Sequence, residues 1–216
     1  MQKVLDHFGK AETYYTQDRA DLRELIPRDV RSILDVGCGA GQTWADRPSQ
    51  IERIAGIERS AEAAAKAARI LDDVIVGDVD MGLDKLEGQR FDLIWCADIL
   101  EHLMDPWATL RRLTGLMSPS GTLIASIPNI TYFKVLRGLK RGRFEYKDRG
   151  ILDRDHLRFF TRSTVIGLAE QARLRVIKLD GRVSANALRR VLYRLAGRTV
   201  ADRLIRQWYL VASIAP

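Results

Sequence analysis

Three glycines at alternate positions follow an apolar segment in the sequence LDVGCGAG, which spans residues 34–41. Gly37, Gly39 and Gly41 remove side chains where a backbone must approach a ligand closely. Asp35 stands two residues before the first glycine, and an apolar strand rarely ends in a charge without a functional reason. We expect a helix to begin directly after the turn, with its N-terminal N–H groups facing the ligand. The segment therefore predicts a ligand-binding turn.

Carboxylates also end the next two apolar segments. Glu58 closes IERIAGIE, where a carboxylate can accept hydrogen bonds from both vicinal hydroxyls of a ribose. Asp78 follows VIVG, and it could accept a hydrogen bond from an adenine amino group while the Val79 backbone amide meets the ring. Asp80 is a rival for that role. The order of these residues indicates a nucleoside-containing ligand.

The glycine spacing separates this turn from the dinucleotide-binding fingerprint G-x-G-x-x-G. The third glycine arrives one residue early, and Gln42 occupies the dinucleotide position. A nicotinamide-dependent oxidoreductase is therefore disfavoured, also because no Ser/Tyr/Lys catalytic set is recognisable. A non-catalytic binding protein that retains the fold is an alternative that the intact motifs disfavour only mildly.

Two of the three histidines lie where they could contact a ligand. His102 follows the fourth apolar segment, so it either lines the ligand pocket or only bonds the backbone. His156 lies in LDRDHLRFF, with Asp153 and Asp155 close in sequence. A histidine oriented by a carboxylate can act as a general base near neutral pH. The same string could equally be a folded loop with an ion pair between Asp155 and Arg158.

The cysteines and histidines form no metal-binding motif. Cys38 and Cys96 both fall at the ends of predicted strands, where we expect reduced, buried thiols. No C-x-x-C, H-E-x-x-H or histidine-rich tract occurs, so the sequence predicts no protein-built metal site.

Composition indicates one globular domain, since 46% of the 216 residues are hydrophobic and 29% are charged. The net charge is +7, and the excess concentrates after Pro128, in segments such as KVLRGLKRGRFEYKDR and LRRVLYRLAGR. A basic balance favours contact with phosphate, nucleic acid or anionic lipid, although the basic segment 134–147 could also be simply a solvated face. No apolar run approaches the roughly 20 residues that span a bilayer. The N-terminus has no apolar signal core, so we expect a cytoplasmic location.

Strand-like and helical patterns alternate through the first 128 residues. The strands read SILDVG, IERIAGIE, VIVGDVD, FDLIWCAD and GTLIASI. Ser60 and Asp105 are expected N-caps, the second followed by Pro106 in the first turn of a helix that includes Leu116 and Met117. This alternation predicts a parallel sheet with helices on both faces.

The alternation lapses after residue 128. A basic helix over about 130–140 is expected to lead into a polar loop over about 141–160, and a helix then begins at Thr161 or Ser163. LRVIKLDG and QWYLVASIA are the sixth and seventh strands. Amphipathic helices near 186–206 are expected between these two strands.

In this order, the strand ends resemble those of the class I S-adenosylmethionine-dependent methyltransferases over essentially the whole chain. The string RGRFEYKDRGILDRDHLRFFT is similar to a bacterial methyltransferase family often encoded with glycosyltransferases in cell-surface polysaccharide pathways. The resemblance implies a Rossmann-like α/β fold with a seven-stranded, mostly parallel sheet, helices on both faces and a small substrate-side cap. It further implies S-adenosylmethionine as cofactor and O-methylation of a sugar, glycolipid or related small molecule. RNA or protein methylation is an alternative that only the positive charge supports.

We divide the single domain into an N-terminal helical cap (1–30), a cofactor-binding core (31–128), a substrate-side segment (129–173) and the last two strands with inserted helices (174–216). Tyr14 or Tyr15 of the cap could cover the cofactor.

The resemblance assigns the cofactor residues. The methionine portion takes Asp35, Gly37, Gly39 and Gly41, the ribose takes Glu58, the adenine takes Asp78 and Val79, and Ala97 and Asp98 lie beside the sulfonium end. His102 is a further candidate cofactor residue because of its position just after the fourth strand. His156, oriented by Asp153 or Asp155, is the expected catalytic base, with His102 in reserve. Arg158 and Tyr146 are expected to contact the acceptor, and the basic segment could clamp its phosphate or touch a membrane surface. The oligomeric state is left open.

Overall fold

A computed structural model describes residues 19–183 and 197–215. Within them lies a seven-stranded sheet of order β3-β2-β1-β4-β5-β7-β6. The strands are β1 Ser32–Val36, β2 Arg53–Glu58, β3 Asp73–Val76, β4 Phe91–Ala97, β5 Met117–Pro128, β6 Leu174–Val183 and β7 Ile205–Ile214. The first five run parallel, and β7 is antiparallel to both β5 and β6. The predicted seven-stranded, mostly parallel sheet is confirmed.

Helices cover both faces of this sheet because its central strands are apolar on both sides. The helices are α1 Ala20–Arg23, α2 Ala61–Ala67, α3 Val79–Lys85, α4 Pro106–Gly115, α5 Phe133–Leu139, α6 Arg162–Gln171 and α7 Arg198–Leu204. Leu34 of β1 joins the buried cluster that contains side chains of α3, α4 and α6. Its neighbour Ile33 points the other way, into a cluster with Ala67 of α2.

The predicted helix caps are present. Ser60 accepts a hydrogen bond from the Ala63 N–H at the start of α2, and Asp105 accepts one from the Ala108 N–H at the start of α4. Of the two candidates for α6, Thr161 is the N-cap. These caps satisfy N–H groups that the first helical turn leaves without partners.

The crossover from β1 to β2 differs from the sequence prediction. The helix expected after Gly41 is only a single 3₁₀ turn, Gln42–Trp44. Trp44 is buried against Trp95, with ring centroids 5.1 Å apart, and Pro48 cannot continue a helix. The early burial of the tryptophan and the proline together end the element after one turn.

β5 also begins four residues earlier in the chain, at Met117, than the predicted strand GTLIASI, which starts at Gly121. Met117, assigned from its spacing to the preceding helix, pairs with Phe91 as the first residue of the strand. The pairing then shifts, so that Leu93 lies opposite Thr122. A Cβ atom at Gly121 would lie only 2.8 Å from the carbonyl oxygen of Ser118. This irregular start places polar residues inside a strand, which the hydrophobic pattern does not reveal.

Several predictions fall outside the described residues: most of the N-terminal cap, with Tyr14 and Tyr15, and much of the inserted region between β6 and β7. Among the residues that are described, no helix has the length and apolar character needed to cross a bilayer.

Candidate active site

The glycine turn after β1 has the backbone that only glycine adopts readily. Gly37, Gly39 and Gly41 have φ angles of 77°, 56° and 77°, in the left-handed region. The N–H of Gly37 donates to the carbonyl oxygen of Ile57 at 2.8 Å, so the turn is anchored on β2. A Cβ atom at Gly37 would lie 2.9 Å from Cδ1 of Ile99. The left-handed conformation therefore favours glycine here, and a Cβ atom would in addition displace the Ile99 side chain.

Glu58 connects this turn to the following helix. Its Oε2 accepts a hydrogen bond from the Gly39 N–H at 2.9 Å, and its Oε1 accepts one from the Ser60 N–H at 2.7 Å. The side chain is buried. Each carboxylate oxygen retains a second lone pair, so the residue can still accept hydrogen bonds from a ligand such as a ribose diol.

Asp35 is a buried carboxylate beside the turn, with 3% of its surface exposed. Burial raises its pKa to about 7, and the charge of Glu58 adds to the rise. The hydrogen bond from Trp44 Nε1, at 2.7 Å, works in the opposite direction. A positively charged ligand group would stabilise the ionised form. Trp44 is not among the predicted site residues, because only the folded chain brings its indole N–H to Asp35.

The two rivals for the adenine position differ in their partners. Asp78 and Asp80 are both exposed at the start of α3. Asp80 accepts a hydrogen bond from Arg112 at 3.2 Å, whereas Asp78 makes no capping hydrogen bond to its helix. Val79 is partly buried against the core. This arrangement favours Asp78.

Asp98, directly after β4, is the centre of a polar network. Its φ angle is 56°, and its side chain accepts hydrogen bonds from Ser126, Arg19 and Gln207. Arg19 is buried, and its Nη2 atom has no hydrogen-bond partner among the described residues. Ala97 precedes the network at the strand end. No sequence motif marked Arg19 or Gln207, which come from opposite ends of the chain.

Glu101 is almost wholly buried in the 3₁₀ turn after β4, with 1% of its surface exposed. Its backbone carbonyl accepts hydrogen bonds from the N–H groups of Leu157 and Arg158 at 2.9 and 3.0 Å. These bonds hold the substrate-side loop against the sheet edge. The carboxylate of Glu101 is buried in the protein interior, and neither of its oxygens has a hydrogen-bond partner in the described part of the chain. Burial raises its pKa well above the usual value, and the charge of Asp98 adds to the rise.

The loop brings the two candidate histidines into contact, with ring centroids 4.7 Å apart. Nδ1 of His102 lies 3.1 Å from the backbone carbonyl oxygen of Asp155, and Nδ1 of His156 lies 3.0 Å from that of Ile151. Burial, together with the proximity of His156, lowers the pKa of His102 to about 4. His102 is therefore neutral at pH 7.

Asp153 and Asp155, the predicted partners of His156, lie in the same loop as the ring. Asp153 is buried, and its Oδ1 accepts a hydrogen bond from the Asp155 N–H at 3.1 Å. Glu101 is a carboxylate close to the ring, with its Oε1 4.0 Å from His156 Nε2. Glu101 is not among the predicted site residues, although a charge inside the apolar string ILEHL is a usable signal. Orientation of the ring by Asp153 or Asp155 stays a prediction.

An open pocket adjoins the histidines and is lined by Tyr146, Arg154, His156, Leu157 and Phe159. Tyr146 was predicted to contact the acceptor, whereas Arg154 was missed. The predicted contact Arg158 directs its guanidinium to the backbone carbonyls of Leu157 and Met104.

The two cysteines are buried and are not part of a disulfide. Burial raises the pKa of both thiols, so they remain protonated and unreactive at neutral pH.

Comparisons with known proteins agree with this architecture. A family model described as a methyltransferase domain matches residues 8–179. The ubiquinone biosynthesis O-methyltransferase of Methylobacterium nodulans is 24% identical, over 99% of this chain and 87% of the relative.

Two solved structures share the fold. An S-adenosylmethionine-dependent methyltransferase from Archaeoglobus fulgidus has a TM-score of 0.64 at 17% identity, over 94% of each chain. The magnesium protoporphyrin IX methyltransferase of Synechocystis, determined with bound S-adenosylhomocysteine, has a TM-score of 0.60 at 13% identity, over 94% of this chain and 83% of that one.

Proposed function

Because the chain belongs to this methyltransferase domain family, we propose that it transfers a methyl group from S-adenosylmethionine to a hydroxyl of a small-molecule or glycan acceptor. The observation that carries the proposal is the meeting of a glycine turn and two buried carboxylates at the carboxyl ends of β1 and β2. Ligands of open parallel sheets bind at this edge. Family membership also argues against the nicotinamide-dependent alternative.

The polar groups at this edge fit the parts of the cofactor. Asp35 suits the ammonium of the methionine portion, because a buried carboxylate gains from a nearby positive charge. Arg19 suits the methionine carboxylate, since its Nη2 is buried and lacks a hydrogen-bond partner among the described residues. Glu58 suits the ribose diol, and Asp78 with the Val79 amide suits adenine. Gly39 allows the backbone to come close to the ligand.

When bound, S-adenosylmethionine supplies a methyl group on a sulfonium sulfur. The chain must align the acceptor oxygen with that carbon, and such alignment supplies several kcal/mol. His156 is our candidate for the group that takes the hydroxyl proton. Its Nδ1 faces a backbone carbonyl, which leaves Nε2 as the basic atom. Base catalysis of this kind contributes about 10²–10⁴-fold.

The acceptor would occupy the pocket beside His156. Its lining combines Arg154 with the apolar and aromatic side chains of Leu157, Tyr146 and Phe159. The basic segment 134–147 is largely exposed next to it. This combination suits an acceptor with an apolar body and a phosphate, such as a lipid-linked sugar, and it would also suit contact with an anionic membrane surface.

A second candidate acceptor is a quinone-type phenol. It is favoured by the name of the Methylobacterium nodulans relative, which aligns with nearly the whole chain. The exposed aromatic side chains of Phe144 and Tyr146 could contact such a ring.

The test is methyl transfer from labelled S-adenosylmethionine to sugar nucleotides, lipid-linked sugars, polyprenyl phenols and RNA. We expect label on a hydroxyl of a sugar or phenol acceptor, with an acceptor KM that rises with salt if phosphate is clamped. Tight NAD binding without S-adenosylhomocysteine binding in calorimetry would contradict the cofactor assignment. Label transferred only to RNA would contradict the acceptor assignment.

A further inference from the structure

Glu101, His102 and His156 form a cluster that methyl transfer alone does not explain. One potential ligand atom from each side chain lies within 4.8 Å of the other two. Ligand atoms around a tetrahedral ion with bonds of about 2.0–2.2 Å are about 3.3–3.6 Å apart. An inward movement of about 1 Å or less per side chain would therefore close the cluster around an ion.

The hydrogen bonds of the histidines determine which ring nitrogen of each could bind a metal ion. A backbone carbonyl can only accept, so Nδ1 of His102 and of His156 must each donate to the carbonyl that it contacts. In a neutral ring this leaves Nε2 with a lone pair. Histidines that bind metals in proteins are held by the same type of bond from the second ring nitrogen.

Glu101 makes the cluster unfavourable without a positive charge. Its carboxylate is almost wholly buried and has no hydrogen-bond partner among residues 19–183 and 197–215. An ionised carboxylate in such a place is strongly unfavourable unless a cation or proton compensates it. Among the described residues, the charge of Arg19 acts on Glu101, but its guanidinium is already paired with Asp98 and Asp21. Glu101, His102 and His156 thus place three potential ligand atoms within 4.8 Å of one another.

We propose that Glu101, His102 and His156 bind one divalent transition-metal ion of the Zn²⁺, Mn²⁺, Fe²⁺ or Co²⁺ class. Imidazole nitrogens favour these ions over Mg²⁺ and Ca²⁺, which prefer sites made only of oxygen ligands. Three protein ligands leave a coordination position open, as in catalytic rather than structural metal sites.

The open position would face the acceptor. His156 belongs both to the cluster and to the lining of the pocket, so an acceptor oxygen in that pocket could complete the coordination. The ion would then orient that oxygen and favour loss of its proton to solvent. In the metal-bound protein Nε2 of His156 would therefore act as a ligand and not as the general base. This use of the ion rests on the proposed function, whereas the binding of the ion rests only on the three side chains. The sequence predicts no protein-built metal site, because Glu101, His102 and His156 form none of the motifs C-x-x-C, H-E-x-x-H or a histidine-rich tract. The proposed site therefore differs from that prediction.

The test uses the full chain after treatment with a chelator, with Co²⁺ as the probe because its visible absorption reports the ligand set. We expect one Co²⁺ per chain. Glu101→Gln, which keeps the shape of the side chain, should weaken Co²⁺ binding by at least about 10-fold. The control Glu62→Gln changes an exposed glutamate and should bind like the wild type. A wild-type chain that takes up no stoichiometric Co²⁺, or a Glu101→Gln chain that binds it equally well, would overturn the proposal.

Thermal unfolding separates an ion from a proton in the cluster. If the ion binds, Zn²⁺ should raise the Tm of the wild type and leave that of Glu101→Gln unchanged. If a proton on Glu101 is the compensating charge, Zn²⁺ should shift neither Tm, which overturns the proposal. Should Glu101→Gln fail to fold, His102→Gln takes its place in both measurements.

Calorimetry with S-adenosylhomocysteine on the chelated chain keeps the two proposals distinguishable. Co²⁺ binding without S-adenosylhomocysteine binding would contradict the proposed function and support the metal site. The reverse result would contradict only the metal site.

Discussion

Oε2 of Glu58 accepts a hydrogen bond from the backbone N–H of Gly39 at 2.9 Å. The carboxylate at the end of β2 thereby holds the glycine turn at the end of β1. A second bond, from the Ser60 N–H, extends the connection to α2. Cofactor affinity and local stability should therefore both depend on this one side chain.

Glu58→Ala should weaken S-adenosylhomocysteine binding at least about 10-fold, because each hydrogen bond lost from a charged group is worth about 1.5–3 kcal/mol. Calorimetry measures the affinity, and circular dichroism confirms that the variant is folded. Glu62→Ala, an exposed neighbour in α2, is the control and should change neither. Unaltered affinity in folded Glu58→Ala would mean that the ribose does not contact this residue.

Gly37→Ala should abolish or strongly weaken cofactor binding, since a Cβ atom there would lie 2.9 Å from Ile99 in a turn with φ of 77°. Gly88→Ala is a matched control, because Gly88 has φ of 82° and nothing within 4 Å of its Cβ position. Both variants should lose about 1–3 kcal/mol of stability from backbone strain. Only Gly37→Ala should also lose affinity for S-adenosylhomocysteine, and equal affinity in the two variants would contradict the assignment of the turn.

Asp35→Asn should make the ligand-free protein more stable at pH 8. The folded-state pKa of Asp35 is raised to about 7, so the folded protein binds a proton more tightly than the unfolded chain. Its contribution to stability is then fully present below the unfolded pKa of about 3.9 and is lost as pH rises through 7.

The stabilisation by Asp35→Asn should thus grow from pH 4 to pH 8, up to about 4 kcal/mol. Urea unfolding over this range measures it, with the exposed Asp46→Asn as control. Affinity for S-adenosylmethionine should fall, because the amide removes the charge opposite the ammonium. If the difference in unfolding free energy between the wild type and Asp35→Asn does not vary with pH, the pKa of Asp35 is not raised in the folded protein.

His156→Ala should lower turnover by about 100-fold or more while S-adenosylhomocysteine affinity stays within a few-fold, because the ring lines the acceptor pocket. The pKa of His102 is lowered to about 4, so this ring is a weaker base than an ordinary histidine. His102→Ala should therefore reduce S-adenosylhomocysteine affinity at least as much as turnover. Single-turnover rates and calorimetry on both variants compare these effects. If His156→Ala keeps nearly wild-type turnover while His102→Ala loses it, His102 and not His156 would be the general base.

The sequence by itself determined the sheet and the position of the glycines and carboxylates that we propose as cofactor ligands. Apolar segments of strand length, each ended by a glycine or a carboxylate, are local signals that do not need the fold to be interpreted. Asp35, the three glycines and Glu58 are all found at adjacent strand ends, as parallel pairing of β1 with β2 requires. Caps such as Ser60 and Thr161 are likewise local, because the donor lies within three residues of the acceptor.

Only the tertiary structure decided how the substrate side is assembled. Glu101 and His156 are far apart in sequence, and the backbone bonds that join their segments leave no periodic signal. The burial of Trp44 shortened a predicted helix to one turn, and pairing with Phe91 moved Met117 from a helix into β5. In each case a contact between distant segments outweighed the local pattern, since burial in the completed core is worth more than local helix propensity.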